Sequence, residues 1–268
     1  MDILALIDED EATDVRCRIA LDLLRTCGGH LSCLQVTSPN ALIATGSFGT
    51  ARMLAERAEA VERHKERLQA ATQTRFAEAA ISWDYRRFDG DLAQTIVEQA
   101  RLVDLVVLNN ERQPSALNGF VPSAAEVLPR VRVPVMAVSA RAGNFNARGG
   151  ALIAWDGSAE CAHALRSALI LLKCASDVVV VTVEGERPGI RGEQAAAYLA
   201  RHGVRAEVFL LPKGDRSIGG VLMEAVRVYR ASYMVMGAFG HGRAREFLLG
   251  GVTRDLLRSC PVPLVLAH

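Results

Sequence analysis

No apolar run in this sequence approaches the roughly 20 residues needed to cross a bilayer. The opening stretch MDILALIDEDEATD is acidic, whereas a secretory signal needs a basic start. Both absences favour a cytoplasmic protein that does not contact membranes. The chain also lacks an excess of either charge, since 31 Lys and Arg residues balance 30 Asp and Glu residues. Because nucleic-acid binding needs clustered positive charge, a nucleic-acid partner is not expected.

The cysteine pattern lacks the common zinc and redox motifs. Six cysteines are spread along the chain without a CxxC pair and without a spacing typical of metal sites. Most lie among apolar neighbours, where free thiols are usually buried. We therefore expect buried free thiols and no metal-binding residue, with disulfide bonds or metal ligation as the alternative.

The length and the hydrophobic pattern predict two domains. A chain of 268 residues fits two domains of ordinary size. Short β-rich runs alternate with longer amphipathic runs, which is typical of βαβ units in a parallel sheet. The fold class is therefore α/β, with a five-stranded unit in residues 1–140 and another in residues 150–268, rather than one large sheet. Residues 141–149 are rich in Gly, Asn and Arg and are interpreted as the linker.

The repeat is also visible in the residues themselves. The run VPVMAVS near the end of the first half corresponds to VPLVLAH at the end of the second. Asp8 corresponds to Asp156, and each follows the first predicted strand of its half. We therefore interpret the chain as a tandem repeat.

A glycine-rich segment in the second half, VMGAFGHGRAREFLLGGVTRDLL, carries the most information. Gly237 and Gly240 follow the end of a predicted strand, where open α/β sheets place their ligands. Glycine lets the backbone turn sharply and approach a ligand closely. Gly250 and Gly251 then open a helix, whose first amides lack helical partners and attract anions. These features predict a phosphate site, and a flexible turn before a glycine-started helix is the alternative.

The spacing Gly237-x2-Gly240-x9-Gly250 resembles the signature of the ATP-binding universal stress proteins. The resemblance extends over the whole chain, and tandem members of that family carry two modules in a chain of this length. It implies Rossmann-like domains of the adenine nucleotide alpha hydrolase type, which hold ATP with or without Mg²⁺. The nucleotide-contacting residues that it implies are Asp156, Val183, Gly237, Gly240, His241, Gly250, Gly251, Val252 and Thr253.

The resemblance also assigns roles to these residues. In the family an aspartate that ends the first strand contacts the ribose or adenine end, and Asp156 matches it. The adenine meets backbone groups at the end of the second strand, which here falls at Thr182 and Val183. The phosphates lie on the loop glycines and the helix start, where Thr253 adds a hydroxyl. For His241, a solvent-facing position is the alternative.

One position departs from the family pattern. Ser or Thr usually follows the third motif glycine, and this chain has Gly251 there. The amide remains available, but a hydroxyl donor is lost. Since one neutral hydrogen bond contributes about 0.5–1.5 kcal/mol, we expect weaker nucleotide binding rather than none.

The first half is not expected to bind a nucleotide in the family manner. Alignment of the terminal runs places Val121 and Pro122 opposite Gly250 and Gly251, and proline has no amide hydrogen to donate. Pro122 is instead interpreted as a first-turn residue of a structural helix. The acidic run after Asp8 resembles the pocket of a response-regulator receiver, but residues 133–140 lack the lysine that this reading needs. Acids that complement a helix dipole are the simpler interpretation.

Two functions remain to be separated. The favoured hypothesis is a stress-response protein that binds ATP or a related nucleotide in its C-terminal half and acts through conformation or partners. The alternative is a non-enzymatic scaffold with both nucleotide sites silent. No Walker lysine motif or paired acid and base is present, so no catalytic residue is assigned. Fast ATP hydrolysis is not expected, and slow hydrolysis is the least supported reading.

The resemblance also bears on assembly. Family modules commonly dimerise through their last strand. We therefore expect VPVMAVS to pair with VPLVLAH within the chain, which makes an intramolecular pseudo-dimer of the two domains and covers a sheet edge. A homodimer of whole chains is left open, and the sequence names no protein partner.

Overall fold

The structure is a computed structural model and describes residues 1–39, 51–115, 117–140, 143, 145–185, 189–239 and 250–268. Their strands form one ten-stranded sheet and a separate two-stranded hairpin, β5 with β6. The strands are β1 (Asp2–Leu6), β2 (His30–Thr37), β3 (Ser82–Asp89), β4 (Leu105–Asn109), β5 (Gln113–Ser115), β6 (Gly119–Val121), β7 (Val135–Val138), β8 (Gly150–Ala154), β9 (Val178–Val183), β10 (Glu207–Leu211), β11 (Ala231–Gly237) and β12 (Leu264–Ala267).

The large sheet consists of two five-stranded halves arranged as mirror images in strand order. The order is β10-β9-β8-β11-β12-β7-β4-β1-β2-β3. Within each half the neighbouring strands are parallel. The halves join where β7 and β12 pair antiparallel, with Ala137 opposite Leu264. The α/β class is confirmed, and the pairing of the two terminal runs merges the two predicted units into one sheet.

Helices cover both faces of the sheet. They are α1 (Thr13–Cys27), α2 (Ala51–Phe76), α3 (Leu92–Gln99), α4 (Ala124–Val127), α5 (Ala159–Ser167), α6 (Leu169–Leu172), α7 (Gly192–Arg201), α8 (Ile218–Val228) and α9 (Gly251–Ser259). Helices α1, α5, α6 and α7 pack in one core, and α3, α4, α8 and α9 pack in the other. Strands enclosed on both faces are buried along their length, which explains the near-continuous valine run of β9.

Polar side chains define the starts of several helices. Asp91 accepts a hydrogen bond from the amide of Gln94 at 2.7 Å, ahead of α3. Ser158 accepts one from the amide of Cys161 at 3.1 Å, ahead of α5. These caps satisfy amides that have no helical partner, so the boundaries follow from the local sequence.

Three local features differ from the sequence-based expectation. The amphipathic pattern predicts one helix from Ser158 to Cys174, but this segment is divided at Ala168 into α5 and α6. The hairpin β5–β6 was not predicted. Leu54, Ala58, Val61 and Leu68 are spaced roughly along one stripe of α2, which predicts packing against the sheet. Leu54 is 48% exposed whereas Val61 is buried, so the stripe packs against the protein over only part of its length.

The segment between the halves is packed against both of them. Ala147 is buried, and its amide donates to Oδ2 of Asp22 on α1 at 2.6 Å. The ring of Phe145 lies 6.1 Å from that of Tyr233 on β11. The segment is therefore held against both halves at Phe145 and Ala147, whereas Asn146 and Arg148 are exposed. Among the described residues, no helix is both long enough and apolar enough to cross a bilayer.

Candidate functional site

The carboxyl edge of the sheet in the C-terminal half forms a crevice between β8 and β11. β8 is followed along the chain by β9 on one side, whereas β11 lies on its other side. Open α/β sheets bind ligands where the strand order reverses in this way. Ala154 at the end of β8 lies opposite Met236 of β11. This register brings Asp156 and Gly237 to the two sides of the crevice.

Gly237 lacks a side chain at a position where the neighbouring helix leaves no room for one. A Cβ atom here would lie 2.5 Å from the amide nitrogen of Cys161 and 2.7 Å from the carbonyl carbon of Glu160. Both atoms belong to the backbone of the first turn of α5, so neither can move without shifting the helix. Gly237 therefore allows the end of β11 to contact the start of α5.

Asp156 begins the turn between β8 and α5. Its Oδ1 accepts a hydrogen bond from the amide of Ser158 at 2.9 Å. Gly157 follows with a left-handed φ of 78°, and a Cβ on it would lie 2.7 Å from backbone atoms of Ile190. Nε1 of Trp155 donates to the carbonyl of Ile190 at 2.6 Å. Ile190 is thereby held against the Asp156 turn.

The backbone of Val183 faces the same strand edge. The carbonyl of Val181 accepts a hydrogen bond from the amide of Trp155 at 2.8 Å. Because residues two apart in a strand are oriented alike, Val183 directs its backbone groups toward the continuation of β8, where Asp156 lies. Its side chain is buried in the core. Asp156, Val183 and Gly237 are thus brought to neighbouring strand ends.

No side chain in the described part of the chain forms a capping hydrogen bond at the start of α9. Gly250 is the N-cap, and Gly251, Val252 and Thr253 are the first helical residues. The first turn contains no acidic residue. A Cβ on Gly250 or Gly251 would meet no described atom within 4 Å. The described residues therefore leave space for an anion beside the first amides of α9.

The described part of the preceding loop ends at Phe239. This residue has a φ of 62°, in the left-handed region that bulky residues rarely occupy. Such strain is often found at binding loops. Two predicted site residues, Gly240 and His241, follow it and lie outside the described residues.

Cys161 lies between Asp156 and Gly237, and no motif in the sequence singles it out. Its Sγ donates to the carbonyl of Ala154 at 3.4 Å. Burial, and next the carboxylate of Asp156, raises the pKa of this thiol to about 12. The Gly237 backbone lowers this pKa, but less than burial and Asp156 raise it. Cys161 is therefore a neutral thiol at physiological pH, packed beneath the crevice.

The N-terminal half has an equivalent edge, and its own side chains fill it. Superposition of the strand registers pairs Asp8, Val36 and Asn109 with Asp156, Val183 and Gly237. The hairpin β5–β6 lies over the first two of these residues. The edge that corresponds to the predicted nucleotide site is therefore closed by the chain itself.

Asn118 is the central residue of this closure. Its Nδ2 donates to Oδ2 of Asp8 at 2.8 Å and to the carbonyl of Val36 at 2.9 Å. Its Oδ1 accepts from the amide of Ser38 at 2.9 Å. Oγ of Ser115 contacts both carboxylate oxygens of Asp8, at 2.8 and 2.9 Å. Burial raises the pKa of Asp8, and the hydrogen bonds from Asn118 and Ser115 oppose that rise only in part.

The sequence contained a signal for this hairpin. Asn118-Gly119 is a dipeptide that is frequent in hairpin turns. Here Gly119 pairs with Ser115 at the end of a three-residue connection, and its positive φ of 69° is a conformation that glycine adopts readily. The contacts of Asn118 with Asp8 and Val36 join segments 110 and 82 residues apart. The turn could have been predicted from the dipeptide, but the partners of its side chains could not.

Replacing Asn118 with alanine is expected to lower the free energy of unfolding by about 1–3 kcal/mol, because buried partners of its amide are left unpaired. The pKa of Asp8 should rise further, since a hydrogen bond that lowers it is lost. Urea denaturation measures the first effect and an NMR titration of the Asp8 carboxyl measures the second. The control is Gln94→Ala, which removes an exposed amide from α3. An Asp8 titration that is the same in both variants would contradict the assigned contact.

The raised pKa of Asp8 also sets the direction of a pH dependence. The folded-state pKa lies above the unfolded value of about 3.9, so the folded protein binds this proton more tightly. The contribution of Asp8 to the free energy of unfolding is therefore greatest below the unfolded pKa and falls as the pH rises through the folded pKa. In the Asn118→Ala protein this fall should be larger and should extend to higher pH.

A buried ion pair lies next to this closed edge. The side chains of Arg16 and Asp10 are both 0% exposed, and Nη2 of the arginine lies 2.7 Å from the carboxylate. Nε of Arg16 donates to the carbonyl of Leu6 at 2.8 Å, and Nη1 donates to Asn109. Asp10 also accepts from the amide of Ala12 at 2.8 Å near the start of α1. In the described part of the chain, no three His, Cys, Asp or Glu residues are grouped so as to hold a metal.

The start of α4 corrects the alignment of the two loops. The helix begins at Ala124 after the N-cap Ser123, whereas the sequence alignment placed Pro122 opposite Gly251. The proline therefore precedes the N-cap and does not occupy the first turn. The error arose because the segment from helix start to last strand is shorter in the first half, which an alignment on the terminal runs cannot detect. Oε2 of Glu126 accepts from the amide of Ser123 at 2.8 Å and from its hydroxyl at 3.0 Å.

Known proteins resemble this chain in sequence. The family model described as "Universal stress protein family" matches residues 1–139 and 191–268. Universal stress protein Rv2319c of Mycobacterium tuberculosis and Universal stress protein Mb2346c of Mycobacterium bovis are each 33% identical to it over 73 residues. These alignments cover 27% of this chain and 25% of each relative. The chain thus spans about a quarter of the length of the curated relatives that it matches.

Solved structures resemble it in fold. A universal stress protein from Archaeoglobus fulgidus aligns with 100% of this chain and 96% of its own, with a TM-score of 0.74 and 16% identity. The functionally unknown protein PA1789 from Pseudomonas aeruginosa aligns with 99% of this chain and 92% of its own, with a TM-score of 0.60 and 16% identity. At such identities the likeness concerns the fold alone. Because the family model matches most of the sequence, in both halves, this chain belongs to the universal stress protein family.

Proposed function

We propose that the C-terminal half of this protein binds an adenine nucleotide, with ATP as the expected ligand, at the edge formed by Asp156, Val183 and Gly237 and the start of α9. The nucleotide would link the protein to a stress response in the cytoplasm through a change in conformation or in partner binding. We also infer that the pairing of β7 with β12 makes the chain an intramolecular pseudo-dimer.

The observation that carries the proposal is the difference between the two equivalent helix starts. At α4 the carboxylate of Glu126 accepts hydrogen bonds from Ser123, so an internal anion already occupies the helix start. Among the described residues no side chain caps α9, and its first turn has no acidic residue. Unpaired amides together with the positive end of the helix dipole attract an anion. The difference supports a phosphate at α9.

The positions of the strand ends are evidence for where the ribose and adenine of the nucleotide bind. Gly237 brings β11 against α5 at the point where the strand order reverses. Asp156 and the backbone of Val183 lie at the neighbouring strand ends, where the family resemblance puts ribose and adenine. In the N-terminal half the equivalent Asp8 and Val36 are bonded to Asn118. This closure supports a structural role for that half.

Isothermal titration calorimetry with ATP, with and without Mg²⁺, tests the proposal, and Gly251→Pro is the most informative variant. Gly251 is the first helical residue, where proline is well tolerated. Gly250 has φ −59° and ψ 151°, which suits a residue before proline. The substitution therefore removes one amide donor while the helix is kept. The Kd for ATP should rise by at least about tenfold, since a hydrogen bond to a charged group contributes about 1.5–3 kcal/mol.

The matched control is Gly251→Ala, which keeps the amide. A Cβ there meets no described atom within 4 Å, so this variant should bind ATP nearly as well as the unmodified protein. Asp156→Ala should weaken binding as well. Absence of binding to the unmodified protein, or equal binding by the proline and alanine variants, would refute the proposed site. The first of these results would favour the alternative, a scaffold with both sites silent.

A further inference from the structure

Two cysteines from opposite halves of the protein are in contact. Cys27 is the last residue of α1 in the N-terminal half, and Cys174 follows α6 in the C-terminal half. Their Sγ atoms are 3.5 Å apart although the residues are 147 positions apart in sequence. A disulfide bond requires an S–S distance of about 2.05 Å. The two sulfurs therefore have to approach by roughly 1.5 Å, which side-chain rotation and a small shift at the helix ends can supply.

These two thiols also differ from the others in exposure. All six cysteines lie in the described part of the chain; Cys27 and Cys174 are partly exposed, and the other four are buried. Both members of the pair lie at or just beyond a helix end, and Gly28 with a φ of 70° follows Cys27 directly. Terminal residues of helices adapt more readily than internal ones because they have fewer helical hydrogen bonds. The two sulfurs are thus in contact, both thiols are accessible to solvent, and the backbone at both positions can adjust.

We propose that Cys27 and Cys174 form a reversible disulfide bond between the two halves when the protein meets a peroxide. The thiolate of one cysteine attacks the O–O bond of hydrogen peroxide, becomes a sulfenic acid and releases hydroxide, which takes up a proton to become water. The second thiol then attacks the sulfenic sulfur, the S–S bond forms, and the hydroxyl leaves as water with the thiol proton. Overall two thiols are oxidised and one peroxide is reduced to two waters.

The surroundings of the pair set the conditions for this reaction. Burial, and next the neighbouring Cys174, raises the pKa of the Cys27 thiol to about 12. Because the thiolate is the reactive form, a thiol with this pKa reacts slowly at neutral pH. Attack by Cys27 should quicken as the pH rises toward 9, and the fully reduced state should persist without an oxidant.

The link would join two helices that already touch across the junction of the halves. Asp22 on α1 accepts a hydrogen bond from the amide of Ala147, next to β8. β8 leads directly to Asp156 at the proposed nucleotide edge. Cys174 itself precedes β9, so oxidation would tie α1 to the segment that enters the strand ending at Val183. The thiol pair itself does not depend on nucleotide binding.

The test uses the full-length reduced protein, treated with hydrogen peroxide at one equivalent, then blocked with N-ethylmaleimide and digested. Mass spectrometry of the digest should show one linked peptide pair that contains Cys27 and Cys174. The intact oxidised chain, weighed before blocking, should be about two mass units lighter than the reduced chain because the bond forms with loss of two hydrogens. On a non-reducing denaturing gel the monomer should run faster, because a loop closed by residues 147 apart compacts the unfolded chain. Dithiothreitol should reverse all three changes: the linked peptide, the mass difference and the faster migration.

Single variants separate this pair from other cysteines. Cys27→Ser and Cys174→Ser should each abolish the linked peptide, whereas Cys260→Ser, at a buried position, should leave it intact. Circular dichroism shows which variants are folded. If a variant is unfolded, the search for the linked peptide in the unmodified protein still tests the proposal. A folded protein that gives no such peptide, or a link between two chains instead of within one, would overturn the proposal. A nucleotide titration that shows no binding would leave this result unaffected.

Discussion

Replacing Arg16 with alanine is expected to lower the free energy of unfolding by about 3–5 kcal/mol. The arginine and Asp10 are both 0% exposed and form an ion pair at 2.7 Å. Removal of the guanidinium leaves a buried carboxylate without its counter-charge, and the carbonyl of Leu6 loses its donor. Urea denaturation followed by circular dichroism measures the effect.

A control and a double variant make this expectation specific. Arg52 pairs with Glu56 on α2, with side chains 88% and 62% exposed. Because exposed pairs contribute little, Arg52→Ala should change the free energy of unfolding by no more than about 0.5 kcal/mol. Arg16→Met combined with Asp10→Leu removes both buried charges and should recover part of the loss. If Arg16→Ala and Arg52→Ala had the same effect, the ion pair would not contribute as described.

A methyl group at Gly237 should affect both stability and ligand binding. In Gly237→Ala the new Cβ would lie 2.5 Å from the Cys161 amide nitrogen, so the start of α5 has to move. Overpacking of this kind costs about 1–3 kcal/mol in the free energy of unfolding. The shift also displaces the Asp156 turn, and we expect the Kd for ATP to rise by about tenfold, equivalent to 1.4 kcal/mol. Denaturation and calorimetry on the same protein give the two values.

Gly250→Ala provides the steric control for this substitution. The position has a φ of −59°, and an added Cβ would meet no described atom within 4 Å. The free energy of unfolding should therefore change by less than about 0.5 kcal/mol. A larger loss of stability in Gly250→Ala than in Gly237→Ala would show that close packing against α5 is not what requires glycine at the strand end.

Much of the fold could be predicted because its signals are local. The valine run of β9 indicates a strand enclosed on both faces, and the structure places it there. Corresponding runs in the two halves indicated a repeat, and β7 and β12 pair as the last strands. The division of the helix at Ala168 was missed because no proline or glycine marks it in the segment from 158 to 174.

The candidate site could be predicted only in part. Gly237 and Asp156 were named from their spacing and from the family resemblance, and both lie at one strand edge. The reason for Gly237, however, is the backbone of α5, which precedes it by 76 residues. The sequence pattern attributes the loss of a nucleotide site in the N-terminal half to Pro122. In the structure, Asn118, Ser115 and Glu126 form the contacts there.

The amino-acid sequence alone determined the α/β class, the family and the strand ends where a ligand is expected, because periodicity and glycine spacing are properties of neighbouring residues. Tertiary structure alone decided which edge is filled by its own side chains, which arginine is buried, and which two thiols touch. Each of these is a contact between distant segments. The register of the sheet and the packing of helices on it set such distances, and no short stretch of sequence encodes them.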